Sequence, residues 1–396
     1  MEIKLPEQVK YILSALEAQG YRADIVGGSV RDALIGREIG DYDITTSALP
    51  AQTKAVFSER RIIETGIKHG TVSLLIDGET YEITTYRTDG EYLDSRHPSE
   101  VSFVKNIDED LSRRDFTVNA MAYSPMHGLT DLFGGREDIE TRVIRAVGDP
   151  YKRFDEDALR ILRALRFASV LGFKIDENTA AAAREKCEKL RYVSAERIFV
   201  ELKKLFFGIS AYEVVSKYGD ILLTVLPGLN GITLPDKTSF DRAEGDVRLL
   251  SIYALSSSDP SASFKAAMTS LKTDRLYRDT GAAALKAFED IEELDERSAA
   301  LLIKDYGLSA STLGAKLGIM LKGLTEKSFD SLTRVKNGAL PYKISDLKIS
   351  GDEVMKEGFE GAEIGRALNL LLLAVIDGEC ENESASLKFY LKNKLK

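Results

Sequence analysis

The hydrophobic pattern changes period near residue 140, and that change limits the available folds more than any other feature of the chain. Up to about residue 135, short apolar blocks alternate with turn residues. An amphipathic helix (about Pro6 to Gln19) leads into an apolar strand, Ala23 to Val26, then Gly27-Gly28, a helical stretch Ser29 to Leu34 and a second strand around Asp41 to Thr45. Two β-rich runs, Thr71 to Ile76 and Tyr81 to Thr85, flank Asp77-Gly78, a strong short-range hairpin signal. The polar stretch Arg87 to Ser99 has no period and reads as a mobile loop. Beyond residue 140 apolar residues recur at helical spacing (Leu159, Leu162, Leu165, Val170; then Ile198, Leu202, Leu205), punctuated by Pro227-Gly228 and Pro341. The expected class is α+β: a head with a small mixed sheet and flanking helices, then an elongated all-helical remainder.

At 396 residues, 44% hydrophobic and 30% charged, the chain has material for two to four globular units, which excludes disorder, collagen and a disulfide scaffold. Cys187 and Cys380 lie far apart, match no metal spacing and point to a reducing compartment. Three histidines, His69, His97 and His127, cannot build a His-rich metal cluster. The longest apolar run, Leu370 to Ile376, is far short of the ~20 residues a spanning helix needs. No membrane association is therefore expected, and the cytoplasm is the default location. The net charge of −9 argues weakly against a nucleic-acid partner, but it is unevenly spread. Residues 1–135 carry −8, residues 136–208 carry +3 and residues 209–396 carry −4. A phosphate-bearing partner would be drawn to the middle segment.

Asp41-Tyr42-Asp43 is the sharpest chemical feature. On a strand, residues i and i+2 share a face, so both carboxylates stand a few ångströms apart and repel. A hard divalent cation such as Mg²⁺ relieves that repulsion and completes its shell with water and substrate phosphates. Upstream, Gly27-Gly28-Ser29-Val30-Arg31-Asp32 puts two glycines between a strand and a helix. Such a turn allows close backbone approach, exposes N–H donors to a phosphate, and adds the forked charge of Arg31.

A Gly-Gly turn followed about 14 residues later by a carboxylate pair on the next strand resembles the DNA polymerase β-like nucleotidyltransferase superfamily. The resemblance implies that Asp41 and Asp43 are catalytic metal ligands, with Glu82 a candidate third carboxylate. The run Arg113-Arg114-Asp115-Phe116-Thr117-Val118-Asn119-Ala120 resembles the ribose- and phosphate-holding motif of class II tRNA nucleotidyltransferases and bacterial poly(A) polymerases. It implies that Gly28, Arg31 and Arg114 cradle a triphosphate and that Asp115 meets the ribose. Asp157, Arg160, Arg163 and Arg166 recur every three residues. On one helix they would form a slowly winding polar stripe, and in the family the matching aspartate and arginine act as a protein template for cytosine or adenine. Asp157 and Arg160 take that role by position, with Arg163 and Arg166 on phosphate or supporting the pocket.

Residues Glu91 to Pro98, preceded by Thr84 to Arg87, resemble the flexible specificity loop of full CCA-adding enzymes, which implies roles there for Arg87, Asp94 and Arg96. Val193 to Ile198, continuing to Glu201 and Leu202, resembles the last neck motif, which braces the helical turn near the nucleotide. The implied organisation is a catalytic head (1–139), a base-recognising neck (140–208), a body (209–290) and a tRNA-binding tail (291–396). The implied activity is template-independent addition of C, C and A to tRNA from ATP and CTP with Mg²⁺, with no obligate protein partner evident. An A-adding relative and a bacterial poly(A) polymerase share the head motifs. A non-catalytic RNA-binding protein on a decayed head is the third reading, and the intact Asp41/Asp43 pair counts against it.

Overall fold

The computed structural model describes residues 3–64, 66–89 and 101–395, which fall into two compact units, Met1–Val225 and Leu226–Lys396. The first begins with α1 (Glu7–Ala18), which buries Val9, Ile12, Leu13 and Leu16 on one face at helical spacing. Next come β1 (Ala23–Val26), α2 (Gly28–Leu34), β2 (Ile44–Thr46), α3 (Pro50–Val56), β3 (Arg61–Ile63), β4 (Thr71–Ile76) and β5 (Glu79–Thr85). A second run holds β6 (Arg87–Asp89), β7 (Val101–Phe103), α4 (Ile107–Ser112), β8 (Met121–Ser124) and β9 (Gly128–Asp131). Seven strands form one sheet in the order β3-β4-β5-β2-β1-β8-β9. It is mixed, because β2 and β5 run parallel while the other pairs are antiparallel. The α+β class expected from the change of period is the class observed.

Asp77 and Gly78 join β4 to β5 with φ of 54° and 88°. Two left-handed residues match the twist of the strands they connect and fix the register at Ile76 opposite Glu79. The central strand β1 is buried along its whole length, and Val26 packs with Tyr86, Ile107, Leu111 and Ala122.

Three expectations are corrected. The second strand is Ile44–Thr46 rather than Asp41 to Thr45; only the backbone of Asp43 extends the pairing, its carbonyl accepting from Val26 N–H at 3.0 Å. Arg87 is not in a loop. It lies on β6, paired with β7 in the register Arg87 to Phe103, and its side chain donates to the His69 carbonyl. Asp94 and Arg96 lie outside the described residues. Finally, the segment after residue 140 is not purely helical. Past α5 (Gly135–Glu140) come β10 (Val143–Ile144), α6 (Pro150–Glu156), α7 (Leu159–Leu171), β11 (Lys174–Ile175), α8 (Glu177–Lys186) and α9 (Ala195–Phe206), with β10 and β11 a parallel pair. Two-residue strands are too short to leave a period in the sequence.

The second unit holds ten α-helices among its described residues, from Lys237–Arg242 to Ser384–Lys394. Its apolar cluster joins Ala287, Ile303, Leu332, Leu371, Leu372 and Leu387. Among the described residues no helix is long and apolar enough to cross a membrane.

Candidate active site

The carboxylates come together by register. Thr45 on β2 is paired with Thr84 on β5. Asp43 and Glu82 each lie two residues before those partners, so they fall on the same face of neighbouring strands. Asp41, Asp43 and Glu82 are all exposed, and no hydrogen bond or ion pair engages their carboxylates among the described residues. Although Asp43 is open to solvent as a residue, the atoms packed around its carboxyl strip away part of its water and push its pKa up. The Arg114 guanidinium pulls against that shift, and the charges of Glu82 and Asp41 add to it. Carboxylates that repel one another suit a hard divalent cation by their chemistry. Among the described residues, however, no three His, Cys, Asp or Glu side chains are placed to hold one together, so the geometry brings at most two of these carboxylates to a common ion.

Gly27 lies beside these carboxylates. Its backbone, at φ 74° and ψ −125°, is one an L side chain rarely adopts, and a Cβ there would sit 3.1 Å from Arg114 Nη1. The turn therefore needs glycine twice over, for its dihedrals and for the arginine that passes it. Arg114 is aimed from below by Asp110, a fully buried residue on α4. Asp110 Oδ2 accepts from Arg114 Nη2 at 3.1 Å, and Oδ1 accepts from Arg113 Nη2 at 2.8 Å. Burial opposes the Asp110 charge, but the Arg114 and Arg113 guanidiniums outweigh it and hold its pKa below the usual carboxylate range. The sequence reading gave Asp110 no role, although its spacing of three and four residues from Arg113 and Arg114 is a helical pairing signal.

Arg31 is buried and engaged. It forks onto Asp32 with two donors at 3.0 Å each and donates from Nη1 to Asn119 Oδ1 at 2.6 Å. Asn119 in turn donates to Asp115 Oδ1 at 3.2 Å. Asp115 is almost wholly enclosed. Its Oδ1 also accepts from Phe116 N–H, and its Oδ2 takes both Arg163 Nε at 2.8 Å and Nη2 at 2.6 Å. Burial opposes this charge too, but Arg163 overrides it and lowers the Asp115 pKa. The expected ribose contact is thus, in the free protein, the anchor of an arginine.

The stripe Asp157, Arg160, Arg163 and Arg166 is only partly helical. Asp157 (φ −143°, ψ 104°) lies in the break between α6 and α7, where its Oδ1 accepts from Leu159 N–H at 3.0 Å. That local bond competes with continuing the helix and sets the start of α7. The three arginines follow on α7, each tied to a carboxylate. Arg160 donates to Glu156 at 2.5 Å and to the Arg113 carbonyl at 3.2 Å; Arg163 holds Asp115; Arg166 pairs with Glu201 at 2.6 Å. Arg197 on α9 donates to Asp157 Oδ2 at 2.8 Å. The Phe167 ring is the common floor, with the Arg31, Arg163 and Arg166 guanidiniums 5.2, 5.4 and 3.7 Å from its centroid. The structure therefore joins the Gly-Gly turn, the Arg113–Asp115 run and α7 through one charged network. Phe167 lies on α7 itself, and Arg197 and Glu201 fall in the neck motif read from the sequence. The pairings of Phe167 with Arg31, Arg197 with Asp157 and Glu201 with Arg166 were not legible, because each spans elements distant in sequence.

Comparison with known proteins gives a consistent result. Residues 23–145 match the family described as Poly A polymerase head domain, and residues 172–218 match that described as probable RNA and SrmB-binding site of polymerase A. The chain is 35% identical to the CCA-adding enzyme of Streptococcus gordonii over 97% of its own length and 96% of that protein. It is 37% identical to the CCA-adding enzyme of Lactobacillus delbrueckii subsp. bulgaricus over 97% of each. Among solved structures it resembles the Bacillus stearothermophilus CCA-adding enzyme in complex with CTP, with a TM-score of 0.80 and 30% identity over 99% of this chain and 98% of that one.

Proposed function

This chain belongs to the CCA-adding enzyme family, and from that membership we propose that it adds C, C and A in turn to the 3′ end of tRNA. The donors would be CTP and ATP, with pyrophosphate leaving at each step. The observation that carries the reading is the convergence, within one unit, of three mutually repelling carboxylates, Arg114 behind a glycine turn, and a helix of carboxylate-bound arginines.

Enzymes of this family depend in general on a divalent metal, and our finer reading is Mg²⁺ held by Asp41 and Asp43. The chemistry it supplies when bound is charge neutralisation at the attacking and leaving oxygens. The protein's own groups supply the rest. Arg114, aimed by Asp110, meets the negative charge of the triphosphate, and Gly28 lets the backbone approach it. Arg31 stiffens the same turn through Asp32 and Asn119, and its fork would turn to the phosphates on leaving Asp32. Asp115, whose Oδ1 is held by Phe116 N–H and Asn119 and whose Oδ2 retains Arg163, would meet the ribose by exchanging one of these donors. Asp157 and Arg160 read the base edge, a carboxylate acceptor beside a guanidinium donor, and Arg163 and Arg166 keep the pocket wall charged. We assign the helical neck to residues 140–208 and the grip on tRNA to the body (209–290) and tail (291–396). Cys187 and Cys380, both unpaired, fit a cytoplasmic setting.

The test is incubation of tRNA lacking its last three nucleotides with each triphosphate and Mg²⁺. CTP alone should extend it by two residues, and CTP with ATP by three and no further. An open-ended adenosine ladder would instead identify a poly(A) polymerase, and addition of one A only to tRNA already ending in CC would identify an A-adding enzyme.

A further inference from the structure

A completely buried carboxylate, Asp24, lies on the active-site face of the sheet in contact with a completely buried tyrosine, Tyr86. Asp24 on β1 is opposite Thr45 of β2, and Thr45 is paired with Thr84 of β5. Tyr86 follows Thr84 by two residues, and its N–H continues the pairing to the Thr46 carbonyl at 2.8 Å. Asp24 and Tyr86 therefore share the face that carries Asp43 and Glu82. The Tyr86 hydroxyl donates to Asp24 Oδ2 at 3.1 Å, and Arg22 Nε donates to the same oxygen at 2.9 Å. Burial, and then the Asp24 charge, push the Tyr86 pKa up, so the hydroxyl stays protonated and is the donor. A buried charge is costly unless it is paired and hydrogen-bonded, and even a paired one is weak evidence for stability. Its use lies in what the arrangement holds in place.

Tyr86 joins the sheet to the element that aims Arg114. It packs in one apolar cluster with Ile107 and Leu111 of α4 and with Val26 of β1. The next residue is gripped from the same helix and its end: Arg87 N–H donates to Asp110 Oδ1 at 3.4 Å, and Arg113 Nε donates to the Arg87 carbonyl at 3.0 Å. Asp110 is also the carboxylate that holds Arg114. Tyr86, α4 and Arg114 are thus one packed group, whereas Asp24 belongs to β1, which runs directly into the Gly27 turn. The Tyr86–Asp24 bond ties the group to the strand. The fit between them is close, since a Cβ on Gly27 would sit 3.1 Å from Arg114 Nη1. Apolar contact is non-directional and tolerates sliding, but a hydrogen bond weakens steeply off its axis. We propose that Tyr86 is a positioning residue for the triphosphate: through Asp24 it sets the spacing between Arg114 and the glycine turn, and so the grip on the phosphates whatever base they carry. The inference rests on the reading in which Arg114 meets the triphosphate.

The experiment is steady-state kinetics of the full-length enzyme on truncated tRNA with CTP or ATP, together with inhibition by pyrophosphate, which presents phosphates without a base. The parent is compared with Tyr86→Phe, Asp24→Asn, Asp24→Ala, the double variant Tyr86→Phe/Asp24→Ala and Arg114→Met. Tyr86→Phe keeps the ring. It should raise KM for CTP, KM for ATP and the inhibition constant of pyrophosphate alike, by about three- to tenfold, the scale of one hydrogen bond, with KM for tRNA as in the parent. Asp24→Asn keeps an acceptor for the hydroxyl and should stay near the parent. Asp24→Ala should match Tyr86→Phe, and the double variant should be no worse than either. A lower melting temperature in Tyr86→Phe with all three constants parental makes Tyr86 a packing residue and overturns the inference. So does a change for one nucleotide that spares pyrophosphate, which would put the effect in the β6–β7 pair instead. If Arg114→Met leaves the three constants parental, the reading of Arg114 falls and the inference with it. Should Tyr86→Phe fail to fold, the two Asp24 variants decide: equal constants in Asp24→Asn and Asp24→Ala overturn the proposal.

Discussion

Asp43 carries a charge that its own fold disfavours. Its pKa is raised by desolvation and by Glu82 and Asp41, so above the ordinary carboxylate value of about 3.9 the ionised group costs the folded state more than the unfolded one. That cost is present at neutral pH and disappears as pH falls through the raised folded value. Asp43→Asn should therefore melt at a higher temperature than the parent in chelator at pH 7.5. Turnover should fall by roughly 10³-fold or more, the scale of lost charge stabilisation at a metal-assisted phosphoryl centre. Added Mg²⁺ should raise the melting temperature of the parent and leave the variant nearly unmoved; equal shifts in both would remove Asp43 from the metal site. Asp110 and Asp115 behave oppositely. Their pKa values are depressed, so the stability they contribute is present above about 3.9 and lost as pH falls through the lower folded values. At this scale the sequence was legible where spacing alone put residues together, as in Asp41-x-Asp43 and Gly27-Gly28. It was silent on where Arg31, Arg163 and Arg197 spend their donors, because those partners lie 88, 48 and 40 residues away.

The segment from α7 to α9 works as one packed element whose tightness can be tested apart from chemistry. Ser169 on α7 donates to the Leu205 carbonyl of α9 at 2.7 Å, and Gly208, just past α9, lies so close that an added Cβ would fall 2.0 Å from Ser169 Oγ and 2.6 Å from its backbone carbon. Backbone cannot yield as a flexible side-chain tip does. Gly208→Ala should therefore destabilise the protein by about 1–3 kcal/mol, the usual penalty for overpacking, read as a lower urea midpoint. The damage should reach selectivity too, because α9 also delivers Arg197 to Asp157 and Glu201 to Arg166. An unchanged midpoint would mean that the two helices slide freely, contrary to this packing. The helices themselves were readable from Leu159, Leu162 and Leu165, because a 3.6-residue period accumulates over thirteen residues. The break before α7 was not. Asp157 takes Leu159 N–H locally, and no apolar period records a single capping bond. The β4–β5 hairpin was readable because Asp77-Gly78 carries its own backbone preference, whereas β6 hid in a polar run whose pairing partner begins at Val101.

For the whole molecule, the question is how a chain of net charge −9 grips a polyanion. Only residues 136–208 are net positive, by three charges, and many of those cations are already engaged. Arg145 pairs with Asp138 and Asp176, Arg153 and Arg160 with Glu156, Arg163 with Asp115, Arg166 and Arg197 with Glu201 and Asp157, Arg184 with Asp220, and Lys186 and Lys189 with Asp155. A cation that neutralises a protein carboxylate releases no counterion from RNA unless that pair first opens. Proteins built on six to ten phosphate contacts lose ~10³–10⁵ in affinity between 50 and 200 mM salt, a slope of about −0.9 per contact on duplex. Here the neck cations are largely paired and residues 209–396 carry net −4. The slope of log affinity for tRNA against log salt should therefore be shallower than the roughly −6 of a protein built on six or more phosphate contacts, with polar contacts to ribose hydroxyls and helix shape supplying the rest. Filter binding of tRNA across that salt range measures it. A slope near −6 or steeper would mean that the internal ion pairs open on binding and that their arginines turn to the phosphates. In that case Asp115→Asn and Glu201→Gln, which free Arg163 and Arg166 in advance, would tighten tRNA binding at low salt; with a shallow slope, both variants should leave it unchanged.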